Sequence, residues 1–172
     1  MQFNGYETTN YPNGISTTLS ATNNGVGAPF SGVNTGAIGE FSSVTTLTFA
    51  QVLALYATPV QLLPAPGANL AIVLRAVLLE LLFNTTAYTN GGGANIQFLA
   101  NATVVSDVTQ ANFNGLITAT ANSILLVDSP FINTVLGKAN LVNQPLNVNL
   151  TAALAAGNSP LQINTFFSVV PV

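Results

Sequence analysis

The alternation of apolar and polar positions is clearest near the C-terminus. Leu146, Val148 and Leu150 alternate with Asn147 and Asn149. Leu161, Ile163, Thr165, Phe167 and Val169 then alternate with Gln162, Asn164, Phe166, Ser168 and Val170. A period of two is that of a strand with one face on a core. Two such strands separated by Thr151 to Pro160 predict a hairpin or a sandwich edge. Phe166 and Val170 are apolar residues on the polar face, which makes them candidate interface residues. The most apolar run, Leu70 to Phe83, reads differently. As a strand it is apolar on both faces: Ile72, Leu74, Ala76, Leu78 and Leu82 on one, Val73, Val77, Leu79, Leu81 and Phe83 on the other. Its leucines and alanines suit a helix, but the turn before it and its β-branched positions favour a strand. A strand buried on both faces is an inner strand, or one covered by another subunit.

Between these runs the punctuation is regular. Thr48 and Gln51 have the spacing of a capping box, which predicts a short helix from Phe49 to Tyr56, ending before Pro59. Val60 to Leu63 reads as a strand, and Pro66-Gly67 fits the central pair of a type II turn. Asn90-Gly91-Gly92-Gly93, flanked by Tyr88 and Ile96, predicts a hairpin. Asp107 is placed to cap a second helix, from about Thr109 to Thr118. Ile124 to Val127 reads as a short buried strand, closed by Asp128-Ser129-Pro130. About eight short strands with turns between them predict an all-β fold. Its expected form is an antiparallel β-sandwich or barrel-like domain with one or two short helices.

Residues 1–43 follow no period and are rich in Asn, Gly, Thr and Ser. They predict an extended N-terminal arm, leaving 44–172 as the β-sandwich domain. Within the arm, Phe3, Tyr6, Tyr11, Ile15, Leu19, Phe30 and Phe41 are spaced anchors for a partner that orders it.

Charge is the strongest compositional constraint. Only 4% of the 172 residues are charged, namely Arg75, Lys138, Glu7, Glu40, Glu80, Asp107 and Asp128, against about 25% in an ordinary domain. Two cations cannot neutralise a run of phosphates, so nucleic acid is excluded as a partner. The chain has no Cys and no His, which removes disulfides, thiolate chemistry, His-based triads and His-ligated zinc. The first residues lack the basic and apolar regions of a signal peptide. The run Leu70 to Phe83 contains Arg75 and Glu80 and falls short of the roughly 20 residues of a membrane helix, so no membrane partner is expected.

No catalytic, cofactor-binding or metal-binding residues are predicted. The five carboxylates are scattered, without the paired placement of a glycosidase or the spacing of a calcium loop. The run Gly91-Gly92-Gly93 lacks the Lys-Ser/Thr of a phosphate loop. Arg75 and Glu80 interrupt an apolar strand, and a buried charge needs a counterpart. Regular alternation puts them on opposite faces, so each is expected to meet another group or a partner chain. They join Phe3, Tyr6, Tyr11, Phe30, Phe41, Phe166 and Val170 as candidate interface residues.

From Thr48 onward the chain resembles the head decoration, or cement, proteins of tailed bacteriophages. The similar segments are Phe49-Ala50-Gln51-Val52-Leu53-Ala54-Leu55, Pro59-Val60-Gln61-Leu62-Leu63, Ala65-Pro66-Gly67-Ala68-Asn69, Ala87-Tyr88-Thr89-Asn90-Gly91-Gly92 leading to Ile96-Gln97-Phe98, Gly137-Lys138-Ala139-Asn140-Leu141, and the terminal strand ending Phe167-Ser168-Val169-Val170. Such chains usually carry more charge, and a Tyr where Phe167 stands. The resemblance implies an all-β fold without a catalytic site, on the outer surface of an icosahedral capsid assembled in the host cytoplasm. The implied partners are the major capsid protein and further copies of the chain, as a dimer or trimer on a symmetry axis. The alternative reading is a glycan- or host-binding β module of a tail or surface structure. The absence of Trp weighs against it.

Overall fold

The computed structural model describes residues 40–172 apart from 92, 101 and 129–136. Eight strands form two antiparallel sheets. They are β1 (Glu40–Leu47), β2 (Val60–Leu63), β3 (Leu70–Leu81), β4 (Ile96–Ala100), β5 (Thr103–Val108), β6 (Ser123–Asp128), β7 (Leu146–Leu150) and β8 (Leu161–Pro171). The first sheet has the order β1-β8-β3-β6 and the second β2-β7-β4-β5. The chain crosses from one sheet to the other after every strand except β4, which pairs directly with β5. Every pairing is antiparallel. This is the eight-stranded jelly roll, which resolves the choice between sandwich and barrel in favour of a double-sheet sandwich.

The core follows from the period of two. β8 turns Leu161, Ile163, Thr165, Phe167 and Val169 inward, all buried. β7 contributes Leu146, Val148 and Leu150, and β4 contributes Ile96, Phe98 and Ala100. Two helices connect the sheets. Helix α1 (Phe49–Ala54) joins β1 to β2, and α2 (Gln110–Ile117) joins β5 to β6. The capping box at α1 is present. Gln51 N–H donates to Thr48 Oγ1 at 3.3 Å, and Thr48 N–H donates to Gln51 Oε1 at 2.9 Å. Gly67 has φ +111°, in the positive range that the third residue of a type II turn requires.

Several expectations are corrected. β1 begins at Glu40, so residues 40–43 belong to the sheet and not to an arm. Its inward residues are Phe41, Ser43, Thr45 and Leu47, and the two small polar ones hide the strand's apolar face in the sequence. β7 and β8 do not form a hairpin. They lie in different sheets, each between two neighbours, because the loop after β7 crosses the sandwich. The Asn90–Gly93 segment is also a crossing and not a hairpin: Thr89 bridges to Ala155, while β4 pairs with β5 and β7. Asn90 closes this turn itself, accepting from Ala94 N–H at 2.7 Å and donating to Ala94 O at 3.2 Å. Asp107 lies in β5, and the N-cap of α2 is Thr109.

Candidate functional site

The outer face of the β1-β8-β3-β6 sheet holds four of the nine candidate interface residues: Arg75, Glu80, Phe166 and Val170. Its geometry depends on one irregularity. β3 pairs Leu74 with Phe167 but Ala76 with Phe166, which leaves Arg75 as an extra residue in a β-bulge. A bulge shifts the phase of every later residue by one. Inward positions therefore change from Ile72 and Leu74 to Val77, Leu79 and Leu81. The expectation that Arg75 and Glu80 face opposite sides fails for this reason. Both lie on the outer face. Arg75 is exposed, and its Nε donates to Ser168 Oγ at 3.4 Å. Glu80 is half-buried between Gln162 and Ile124 in the pairing register.

The register arranges the outer face in rows. Thr46, Gln162, Glu80 and Ile124 form one row, and Val44, Asn164, Leu78 and Leu126 the next. Ser42, Phe166, Ala76 and Asp128 occupy the row after that. Four of these side chains are large, apolar and exposed: Ile124 at 63%, Leu126 at 62%, Val44 at 54% and Phe166 at 40%. Phe166 thus lies where the alternation predicts it. Val170 is half-buried on the same face, opposite Ala71. Phe41 is corrected: it faces inward, with its ring 5.7 Å from that of Phe167. Phe3, Tyr6, Tyr11 and Phe30 lie outside the described residues.

β6 is the largest departure from expectation. It is not buried but ends its sheet, and it carries the two most exposed aliphatic side chains of the face. The sequence SILLVD reads as a core strand because its apolar run has no period. Of its apolar residues only Leu125 and Val127 face the interior, where they pack partly buried on the core.

The loop end of the sandwich is different. Asn158 Oδ1 accepts from Thr85 N–H at 3.2 Å and Thr86 N–H at 3.0 Å, and its Nδ2 donates to Thr85 Oγ1 at 2.7 Å. Ser159 Oγ accepts from Asn84 N–H at 3.1 Å. Tyr88, which is buried, donates its hydroxyl to Ser159 O at 2.6 Å. Burial pushes the Tyr88 hydroxyl pKa up to about 12. Gly157 has φ +87°, and a Cβ there would overlap the Tyr88 ring. Neutral side chains thus tie the β3–β4 loop to the β7–β8 loop.

On the second sheet, Asp107, Gln97 and Asn149 make an outward cross-strand row. The Oδ1 atoms of Asp107 and Asn149 are buried without a hydrogen-bond partner. Among the described residues no group of three or more His, Cys, Asp or Glu is placed to hold a metal. Nor is any helix among them long and apolar enough to cross a membrane.

No family model matches the chain, and no curated protein matches it. Among solved structures it is similar to a chain of the cyanophage Pam1 capsid asymmetric unit. The identity is 13% and the TM-score 0.42, over 89% of this chain and 100% of that one. Those values carry no functional weight, and the jelly-roll assignment rests on the strand order alone.

Proposed function

We propose that this chain is a structural virion protein that binds the outside of an icosahedral phage capsid and cements joints between capsomers. The observation that supports this reading best is the outer sheet face, where exposed Val44, Leu126, Ile124 and Phe166 sit among Ser, Thr, Asn and Gln, with Arg75 and Glu80 as charged neighbours. Joints made by apolar contact and neutral hydrogen bonds are insensitive to salt, unlike ion pairs. The jelly roll is an architecture that capsid proteins use, though fold alone does not assign a role. The residue-level resemblance to decoration proteins points the same way. A protein that binds only the mature shell stabilises that state by mass action, and many symmetry-related copies multiply the effect. The reading is non-catalytic, since five carboxylates without His or Cys offer little acid–base or nucleophilic chemistry.

Copy number in purified particles tests the proposal. A fixed stoichiometry with the main shell protein is expected; a handful of copies per particle, or none, rejects it. Deleting residues 1–39, which leaves β1 whole, is expected to weaken shell binding while the sandwich stays folded.

A second reading has one observation in its favour. Phe49 and Tyr56 are 47% and 53% exposed at the two ends of the α1 segment, and exposed aromatic rings suit sugar faces. The jelly roll also serves lectins. Specific binding on a glycan array, lost in Tyr56→Ala, would favour a host-recognition module over a cement protein.

A further inference from the structure

We propose that β6 pairs antiparallel with β6 of a second copy, joining two four-stranded sheets into one eight-stranded sheet across a two-fold axis. This inference stands independently of the virion reading. β6 ends its sheet, and no strand among the described residues occupies its other edge. Natural edge strands are blunted by Lys, Pro, bulges or short length. Ser123 to Val127 contains neither Lys nor Pro, and its register against β3 runs without a break. The strand instead presents Ile124 and Leu126, and Leu78 continues the apolar row on β3.

A second copy fits this edge for three reasons. A strand paired antiparallel with itself is self-complementary. With the axis beside Leu125, Ile124 lies opposite the second copy's Leu126, and Leu126 opposite its Ile124. Both rows at the seam are then apolar on the exposed side. The charges are also compatible. The one charged residue of β6 is its last, Asp128, which with this axis falls opposite the uncharged Asn122 position of the second copy, and the two copies of Glu80 stand three strand spacings apart, about 14 Å. That exceeds the screening length of roughly 8 Å at physiological salt. A net charge of −3 over 172 residues adds little long-range repulsion. Finally, the assembly closes. A two-fold contact uses the β6 edge of each chain once, so the seam joins two copies and leaves no β6 edge for a third.

The test is the solution mass of the full chain by size-exclusion chromatography with light scattering, over a dilution series. Twice the chain mass is expected, with Ile124→Lys and Leu126→Lys each raising the dimer dissociation constant by about tenfold or more. Tyr56→Lys, an exposed site away from β6, is expected to leave it unchanged. A wild-type monomer at every soluble concentration overturns the proposal and leaves β6 for a foreign partner. An unchanged dimer in both lysine variants overturns it equally, since the interface then lies elsewhere. If the lysine variants do not fold, Leu126→Cys provides the readout. The chain has no other thiol, and the two Leu126 positions form a diagonal pair roughly 7–8 Å apart. A short bismaleimide is expected to give a covalent dimer from Leu126→Cys and not from Thr46→Cys on β1. Absence of that dimer overturns the pairing.

Discussion

The loop end of the sandwich and its β6 edge are built from the same neutral alphabet but finished to different degrees. At the loop end, Asn158, Ser159 and Tyr88 tie the β3–β4 loop to the β7–β8 loop through five side-chain hydrogen bonds, none of them to a charged group. At β6, Ile124 and Leu126 stand with more than half of their surface in water. A buried polar group left unpaired costs about 1–3 kcal/mol, so folding alone demands the buried Tyr88–Ser159 bond at the centre of the first region. Exposed aliphatic groups cost folding almost nothing, and a contiguous set of them marks a surface for an outside partner. The residues that hold the fold are thus distinct from those that serve association.

The severest challenge to that separation uses leucines on two neighbouring strands. Leu79 on β3 is fully buried and is paired with Leu125 of β6. Leu79→Ala is expected to cost about 2–5 kcal/mol through lost burial and the cavity left behind. Chemical denaturation of the full chain measures it. A loss below about 1 kcal/mol, well short of a core truncation, would mean that the two sheets are not packed on one another as described.

Next in size is the Tyr88 hydroxyl. Tyr88→Phe leaves the Ser159 carbonyl without its donor, at an expected cost of about 1–3 kcal/mol. The pH dependence has a definite sign. The folded pKa of about 12 lies above the ordinary 10.0, so folding favours the neutral phenol. The associated stability is complete below the ordinary value and is lost as pH rises from there to about 12. Tyr88→Phe is expected to flatten unfolding curves in that window. An equally steep alkaline loss in the variant would assign it to another group. Asn158→Ala removes three hydrogen bonds from an exposed junction and is expected to cost about 1–2 kcal/mol. Neither substitution is expected to change the association state.

Much of this arrangement is legible in the residues. The period of two at Leu146–Leu150 and Leu161–Val170 marks β7 and β8 closely, and Thr48 with Gln51 marks α1, because those signals are local. The sheet partners are not legible. A jelly roll pairs β1 with β8 and β2 with β7, so its contacts are remote in sequence, and neighbouring strands that resemble hairpins cross between sheets. The bulge at Arg75 is hidden for a related reason. In a run apolar on both faces, a one-residue phase shift changes no pattern. The same continuity makes β6 read as buried, since Ile124-Leu125-Leu126-Val127 gives no sign of which face meets water. Phe166 stands out against polar neighbours; Ile124 and Leu126, set among other apolar residues, do not.

The mildest substitution is therefore the most discriminating. Leu126→Ala removes as many carbon atoms as Leu79→Ala, one row away on the adjacent strand of the same sheet, but from the exposed face. In a monomer, truncating a side chain that is 62% exposed falls within about 0.5 kcal/mol of neutral. If β6 is buried between two copies, Leu126→Ala instead lowers stability in a concentration-dependent way, because dimerisation stabilises the folded chain by mass action. Unfolding measured at two well-separated protein concentrations distinguishes these outcomes. A loss present at high concentration and absent on dilution places Leu126 at a seam between chains. A small loss, the same at both concentrations, makes it a solvent-facing residue on an edge strand and rejects the two-fold pairing.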